Sequence, residues 1–205
     1  MAKEDVFYMS MNITDIVRTL TPIIEALEQF NVPYLIGGSV ASSVFGQARP
    51  TQDVDIVADL QPSQVRPFVK LLENDYYIVE ASIRDAIRRR SSFNLISNET
   101  FMKVDVFVLK TRAFDQDALH HVIQQPLQQG GRAFPMASPE NTIINKLEWY
   151  QMGGGVSTRQ WNDILGVLRT QASTLDWVYL DRWAVALGVR ELLERALVEA
   201  GLKQP

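Results

Sequence analysis

Two aspartates, one residue apart, lie in the alternating segment TQDVDIVADL, residues 51–60. If this segment is a strand, Asp53 and Asp55 project from one face, and the apolar residues that alternate with them pack into the core. Side-by-side carboxylates repel each other unless a proton or a cation neutralises them. Magnesium prefers carboxylate oxygens together with substrate phosphates. The pair therefore indicates a magnesium site, and the alternative is the solvent face of an edge strand.

A third acid, Asp105, stands alone in the apolar run VDVFVL, residues 104–109. An isolated carboxylate in such a strand is costly to bury without a partner. Lys103 is one candidate partner. If the strand lies beside residues 53–55, three carboxylates converge on one cleft. That arrangement suits two metal ions about 3.5–4 Å apart, which clamp the attacking and leaving oxygens of an in-line displacement.

A glycine turn precedes the paired aspartates. The short apolar run 34–36 leads into Gly37, Gly38 and Ser39, which open a predicted helix over residues 39–47. Glycine permits positive φ and a close approach of the backbone to a ligand. A helix N-terminus offers free N–H groups and a partial positive charge, which favour phosphate. The turn is a candidate phosphate site, although most such turns only connect two elements.

The hydrophobic pattern predicts the elements that must position these residues. Strands and helices alternate in the first part of the chain, and only helices follow Ser138. Pro22 either kinks the first helix or starts a second one. The predicted helices cover residues 12–30, 39–47, 61–75, 82–90, 117–121, 138–151, 157–171, 175–188 and 189–201. The predicted strands cover residues 34–36, 51–60, 76–81, 91–97, 101–109, 122–127 and 133–134, the pair 91–97 and 101–109 forming a hairpin.

The start of the helical part carries a clear signature. Ser138 is predicted as the N-cap, Pro139 occupies the first helical position, and Glu140 lies in the first turn. We therefore divide the chain into an α/β region, residues 1–135, and a C-terminal helical region, residues 136–205.

Composition limits the class of protein. The 205 residues are 46% hydrophobic and 21% charged, as in a globular protein, and the formal net charge of −4 gives no global attraction to nucleic acid. Cysteine is absent, which excludes disulfides and thiolate sites. The N-terminal residues are too polar for a secretory signal, and no apolar run reaches the length of a membrane span. We expect a cytoplasmic protein without membrane contact.

Two further clusters have ordinary interpretations. The basic cluster could steer RNA or an acidic partner, but a solvated helix surface is the preferred interpretation. The tryptophans lie at amphipathic positions of the helical region and are predicted to form its core. The basic cluster is Arg84, Arg88, Arg89 and Arg90, and the tryptophans are Trp149, Trp161, Trp177 and Trp183.

The order of the motifs resembles the nucleotidyltransferase superfamily with the DNA polymerase β-like core. The resemblance consists of I-G-G-S at residues 36–39, thirteen intervening residues, D-V-D-I at residues 53–56, and the later V-D-V at residues 104–106. The R-P-T at residues 49–51 is similar to the R-x-T-x-D-x-D form of bacterial members. The resemblance implies an α+β fold, with a nucleotidyltransferase-type mixed sheet flanked by helices and a C-terminal helical region. Residues 1–135 would then be the catalytic core.

The second half of the chain extends the likeness. S-P-E at residues 138–140, leading to Lys146, and R-Q-W-N-D at residues 159–163 resemble segments of small bacterial nucleotidyltransferases. These include the abortive-infection (AbiEii-like) toxin enzymes and their uncharacterised relatives. The matching lysine and aspartate of that group lie near the nucleotide.

Site roles follow from the resemblance. It implies that Asp53, Asp55 and Asp105 are the catalytic residues and the ligands of a two-metal magnesium site, and that Asp105 helps to deprotonate the acceptor hydroxyl. For Lys146 and Asp163 the alternatives are a solvated helix residue and a surface salt bridge. The residues implied to bind the nucleotide are Gly37, Gly38, Ser39, Arg49, Lys146 and Asp163.

The implied activity is the magnesium-dependent transfer of NMP from an NTP such as ATP to a hydroxyl of an acceptor, with release of pyrophosphate. The acceptor could be tRNA, another RNA, a protein or a small molecule, and a toxin-type enzyme would add an antitoxin partner. The alternative from another class is a non-catalytic nucleotide-binding or interaction module on the same fold. A purely structural α/β protein is a third.

Overall fold

The structure is a computed structural model that describes residues 13–203. Its first helix, α1, runs over Ile13–Gln29, and Ile16, Leu20 and Ile24 lie on its buried face. This spacing of four residues, close to one helical turn, gives the helix an apolar side to bury. Pro22 lies inside α1, so the alternative of two separate helices is wrong. Residue 12, the first of the predicted segment, falls outside the described residues.

A seven-stranded mixed sheet organises the described part of the chain. The spatial order of its strands is β3-β4-β5-β2-β1-β7-β6. The strands are β1 (Tyr34–Ile36), β2 (Asp53–Ala58), β3 (Tyr76–Tyr77), β4 (Ser92–Ser97), β5 (Lys103–Val108), β6 (Val122–Pro126) and β7 (Ala133–Ala137). The helices after α1 are α2 (Gly38–Phe45), α3 (Val65–Leu72), α4 (Glu80–Arg89), α5 (Ala113–His120), α6 (Pro139–Met152), α7 (Thr158–Gln171), α8 (Trp177–Ala186) and α9 (Arg190–Glu199).

The pairing of the strands decides where the predicted site residues meet. The hairpin of β4 and β5 is antiparallel, as predicted, and β2 lies parallel to β5 in the centre of the sheet. The alternating side chains of β2 and β5 that point away from the carboxylates are fully buried or nearly so: Val54, Ile56, Ala58, Val104, Val106 and Val108. Burial of this apolar face fixes the register, because a slip by one residue would bury the acids.

One strand is much shorter than the sequence pattern predicts. The run 76–81 was expected to be a strand, but only Tyr76 and Tyr77 pair with β4. Helix α4 begins at Glu80, whose negative charge in the first turn stabilises a helix start. The prediction of a strand over residues 78–81 is therefore wrong.

The C-terminal helices pack onto the sheet region. Helix α2 contacts both α6 and α7, and residues from both halves belong to one hydrophobic core. The predicted cap of α6 is present, since Ser138 accepts a hydrogen bond from the Asn141 amide. The predicted division at residues 135 and 136 falls inside β7, and the two-region description stays a prediction. Within residues 13–203, none of the helices has both the length and the apolarity required to cross a bilayer.

Candidate functional site

The three predicted carboxylates project from the same face of the sheet. In the parallel pairing of β2 with β5, Asp55 lies opposite Asp105, and Asp53 lies opposite Lys103. Cross-strand partners share a face, as do residues i and i+2 of one strand. Asp53 and Asp105 leave 57% and 23% of their side chains exposed, and Asp55 is more deeply buried. The structure therefore brings the three acids onto one face of the sheet, but of the three only Asp55 also lines the cleft described below.

The electrostatics of Asp55 reflect this convergence. Burial raises the pKa of the Asp55 carboxyl above its ordinary value, and the charge of Asp105 raises it further. Lys146 and a backbone hydrogen bond from Ser39 act in the opposite direction but do not outweigh these effects. The ionised form of Asp55 is therefore disfavoured where it stands, and additional positive charge nearby would stabilise it.

Lys103 supplies positive charge at the exposed end of the acid cluster. Its Nζ lies 2.8 Å from Oδ2 of Asp105 and 3.6 Å from Oδ1 of Asp53. The hydrogen bond to Asp105 raises the pKa of the Lys103 ammonium. The sequence offers two explanations for Asp105, a pairing with Lys103 and convergence with the other acids. The structure shows both together.

The donor set is suited to a hard divalent cation that receives part of its coordination from a substrate. Within residues 13–203, no three metal-ligating side chains already surround a single point. Magnesium in nucleotide sites commonly uses only one or two carboxylates, together with phosphates and water. Asp55 and Asp105 provide adjacent carboxylates, and burial together with the charge of Asp105 raises the pKa of Asp55, an effect that a bound cation would oppose. The residues present therefore fit magnesium.

The glycine turn is built against Asp55. The Gly37 amide donates to the Asp55 carbonyl oxygen at 2.9 Å, which ties the turn to β2. Gly38 has φ +57, and a Cβ placed on it would lie 1.7 Å from Oδ2 of Asp55. No side chain fits there, so glycine is required both for its conformation and for this close approach. Ser39 donates its backbone hydrogen bond to the same carboxyl group.

A buried ionic network joins the turn to the helical half. Arg49 donates from Nε and Nη2 to the two carboxylate oxygens of Asp163, at 2.9 Å each, and from Nη2 to Oγ of Ser39 at 2.7 Å. Lys146 donates to Oδ2 of Asp163 at 2.8 Å. The network links four of the residues that the sequence assigned to nucleotide binding.

Asp163 is the anion that organises this network. Its side chain is only 5% exposed, and that of Lys146 is 10% exposed. Burial by itself would raise the pKa of the Asp163 carboxyl, but the hydrogen bond from Arg49 and the charge of Lys146 outweigh it and hold the pKa below its ordinary value. The alternatives of a solvated Lys146 and a surface salt bridge of Asp163 are therefore excluded. Both carboxylate oxygens of Asp163 accept hydrogen bonds from cationic side chains, those of Arg49 and Lys146.

A cleft of about 480 Å³ opens in front of Asp55 and the glycine turn. Arg49 and Lys146 line it, and so does one face of α6, which presents Thr142, Asn145, Trp149 and Met152 at helical spacing. Phe107 of β5 also lines the cleft, with its ring in edge contact with Trp149 at 6.1 Å between centroids. Phe107, Trp149 and Met152 thus form an apolar wall of the cleft, whose other lining residues include the charged Arg49, Asp55 and Lys146.

The sequence interpretation missed this wall. Trp161 is buried as predicted, but the prediction that Trp149 and Trp177 are core residues is wrong, because 48% and 41% of these residues are exposed. Trp149 lies three residues after Lys146, on a neighbouring part of the same helix surface. That spacing is the signal that could have placed it in the cleft.

The basic cluster on α4 is paired with acidic residues. Arg84 contacts Glu80, and Arg88 and Arg89 both contact Asp85. These pairs support the interpretation of a solvated helix surface rather than a concentrated positive patch. The fourth arginine, Arg90, lies 3.5 Å from Asp59 and donates to the Leu109 carbonyl oxygen.

No protein-family profile matches the sequence, and no curated protein matches it. Solved structures do match. The crystal structure of an antigenic nucleotidyltransferase-like protein from Paracoccidioides brasiliensis is similar with a TM-score of 0.53 and 19% identity, over 92% of this chain and 93% of that chain.

Two structures of one antibiotic-resistance factor are also similar. The solution structure of ANT(2'')-Ia has a TM-score of 0.55 and 14% identity, over 89% of this chain and 96% of that chain. The crystal structure of ANT(2'')-Ia with adenylyl-2''-tobramycin has a TM-score of 0.52 and 14% identity, over 85% and 98% of the two chains. The chain therefore has the nucleotidyltransferase fold, and the predicted fold class is confirmed. The closer likeness to the AbiEii-like group stays a prediction.

Proposed function

We propose that the chain is a magnesium-dependent nucleotidyltransferase that moves NMP from an NTP to an acceptor hydroxyl. The observation that carries this proposal is the direct pairing of Asp55 with Asp105 beside the Gly37–Ser39 turn. Two neighbouring carboxylates, one of them buried with a raised pKa, are costly to hold together, and a bound divalent cation would offset this cost. Magnesium, when bound by Asp53, Asp55 and Asp105, would neutralise these acids and the charge on the reacting phosphates.

The side chains of the site would then have separate roles in an in-line displacement at the α-phosphorus. The acceptor oxygen forms a bond to the α-phosphorus, the bond from that phosphorus to the leaving oxygen breaks, and pyrophosphate departs. Asp105 would accept the proton of the acceptor hydroxyl and pass it to solvent. Its partial exposure gives the acceptor access to its oxygens.

Two cations held by Asp163 would offset the charge of the triphosphate. Arg49 and Lys146 both line the cleft, and each is fixed by a hydrogen bond to the buried Asp163 carboxylate. Preorganised donors of this kind stabilise developing charge without reorganising during the reaction. In this proposal Asp163 acts through Arg49 and Lys146, while the backbone of Gly38 and Ser39 approaches the phosphates.

A small molecule is the acceptor class that the site favours. The cleft of about 480 Å³ lies within the usual size of small-ligand pockets, and Phe107, Trp149 and Met152 give it an apolar side. An RNA acceptor would call for a concentrated positive surface, whereas the basic cluster on α4 is paired and the net charge is −4. One similar structure is a complex with adenylyl-2''-tobramycin, which is consistent with such an acceptor for that fold.

The proposal is tested with purified protein, Mg²⁺ and each α-labelled NTP in turn. Separate reactions contain a pool of polyhydroxylated small molecules, total tRNA or cell protein, and both label transfer and pyrophosphate release are measured. We expect transfer to a small molecule that depends on Mg²⁺. Transfer to tRNA or protein, together with growth arrest on expression that a partner relieves, would favour the toxin-type role and an antitoxin partner instead.

Matched variants make the assay decisive. Asp55→Asn and Asp105→Asn keep the size of each side chain and should each reduce transfer at least about a hundredfold, the usual scale for loss of a group that acts in the transition state. Asp59→Asn is the control and should retain activity, because Asp59 lies directly after β2 and pairs with Arg90 rather than with the acid cluster. Nucleotide binding without pyrophosphate release in every reaction would favour the non-catalytic alternative.

A further inference from the structure

Lys103 is unusual because it places a cation among side chains that the proposed function assigns to magnesium. It stands two residues before Asp105 on β5 and opposite Asp53 in the pairing with β2. Its Nζ contacts Asp105 at 2.8 Å and Asp53 at 3.6 Å, so one ammonium bridges two of the three acids. The strand register, the two distances and the opposite charge all place Lys103 at the acid cluster.

An ammonium at this position competes directly with a metal ion. The ammonium of Lys103 occupies one of the lone pairs of the Asp105 carboxylate and leaves fewer of them to a divalent cation on that side. A lysine left in place would also repel a divalent cation bound a few ångströms away. The side chain is 39% exposed, so its flexible stem leaves the ammonium a route into solvent.

We infer that Lys103 is a built-in counter-ion that holds the Asp53–Asp105 side of the cluster and must be displaced when a divalent cation binds there. Lys103 thereby weakens cation affinity while stabilising the acid cluster in the cation-free protein. This inference rests on the proposed use of the carboxylates as magnesium ligands, and it adds a residue that sets how tightly the metal is held. It also makes metal binding dependent on a movement of one side chain.

The sign of one measurement separates this role from a supporting role. If Lys103 only orients Asp105, removal of the ammonium weakens cation binding. If Lys103 is displaced by the cation, removal of the ammonium strengthens it. Mn²⁺ alone serves as the probe, with its dissociation constant measured by calorimetry and by the electron paramagnetic resonance signal of free Mn²⁺.

The variants are Lys103→Met and Lys103→Gln in the full chain, with Lys70→Met as the control for loss of one positive charge. Lys70 is an exposed residue of α3 and does not line the cleft. We expect both Lys103 variants to bind Mn²⁺ about three- to tenfold more tightly than the parent, the scale of a partly exposed ion pair. The control should bind as the parent does.

A second readout does not depend on the binding isotherm. Without added cation, Lys103→Met should melt a few degrees below the parent, because the acids lose their counter-ion. With saturating Mn²⁺, this deficit should shrink or reverse. The glutamine variant keeps a polar chain and guards against a folding defect caused by methionine alone.

The possible results separate the two proposals. Mn²⁺ binding by the parent with equal or weaker binding by both Lys103 variants would overturn the role of Lys103 and leave the metal site intact. Failure of the parent and of both variants to bind Mn²⁺ would overturn this inference, whereas the metal site of the proposed function, which takes part of its coordination from the nucleotide, is tested by the Mg²⁺ dependence of transfer. If Lys70→Met gained as much Mn²⁺ affinity over the parent as the Lys103 variants do, the gain would be an effect of net charge alone. That result would also overturn the role of Lys103.

Discussion

Replacement of Gly38 by alanine tests the geometry on which the site is built. The new Cβ would lie 1.7 Å from Oδ2, 2.5 Å from Cγ and 2.8 Å from Cβ of Asp55, all well inside contact distance. The backbone at φ +57 would add its own strain, since an L side chain rarely adopts that conformation. Either Asp55 or the turn must move.

Two effects determine how much free energy of unfolding Gly38→Ala should lose. A left-handed conformation for alanine and the loss of a hydrogen bond to a charged carboxyl together correspond to roughly 2–5 kcal/mol. Gly37→Ala is the matched control, because its Cβ would meet only Leu35 Cδ1, at 3.8 Å, and its φ of −128 is open to any residue. We expect Gly37→Ala to have a free energy of unfolding within about 1 kcal/mol of the parent.

Urea unfolding monitored by circular dichroism measures both variants. A cycle that combines Gly38→Ala with Asp55→Ala should recover part of the loss, because removal of the carboxyl group eliminates the two shortest contacts. The Cβ of Asp55 and the positive φ remain, so recovery should be incomplete. Equal stability of the Gly38 and Gly37 variants would refute the close packing of the turn against Asp55.

Two further predictions concern the helical half. Asp163→Asn should reduce the free energy of unfolding by about 3 kcal/mol at pH 7, because Lys146 and Arg49 lose a buried counter-charge. The native pKa of Asp163 is lowered from 3.8, so the difference in free energy of unfolding between the parent and the variant should be full above about pH 4. It should shrink as the pH falls below the unfolded pKa and through the native pKa. A difference that stays unchanged down to pH 3 in urea titrations would contradict this prediction. Ser138→Ala should cost about 1 kcal/mol through loss of the cap on the Asn141 amide, measured by urea unfolding, and a variant as stable as the parent would contradict the capping role.

The local pattern predicts that Asp53 and Asp55 share a face, but it does not predict that Asp105 lies beside them. Alternation places Asp53 and Asp55 on one side of β2 whatever the neighbours are. The position of Asp105 depends on β5 lying beside β2 in parallel, with Asp55 and Asp105 in register. That pairing connects segments about fifty residues apart, and its register is fixed by burial of the apolar face opposite the acids rather than by any local pattern.

The ionic network shows the same limit at longer range. Arg49 and Asp163 are separated by 114 positions, and neither residue has a local pattern that identifies the other as its partner. The family resemblance indicated that both belong to the site, and the packing of α7 against α2 explains how they meet. Trp149 was assigned to the core because an amphipathic helix face predicts burial, whereas here that face borders a cleft that exists only in the assembled fold.

A crystal structure of the protein with Mn²⁺ and a non-hydrolysable NTP would test directly whether Asp55 and Asp105 hold a metal ion beside the nucleotide. Anomalous scattering would locate the ions independently of the protein coordinates. We expect manganese in contact with the carboxylates of Asp55 and Asp105, with the triphosphate lying along Gly38 and Ser39 towards Arg49 and Lys146. A nucleotide bound elsewhere, or manganese that avoids both carboxylates, would contradict this expectation.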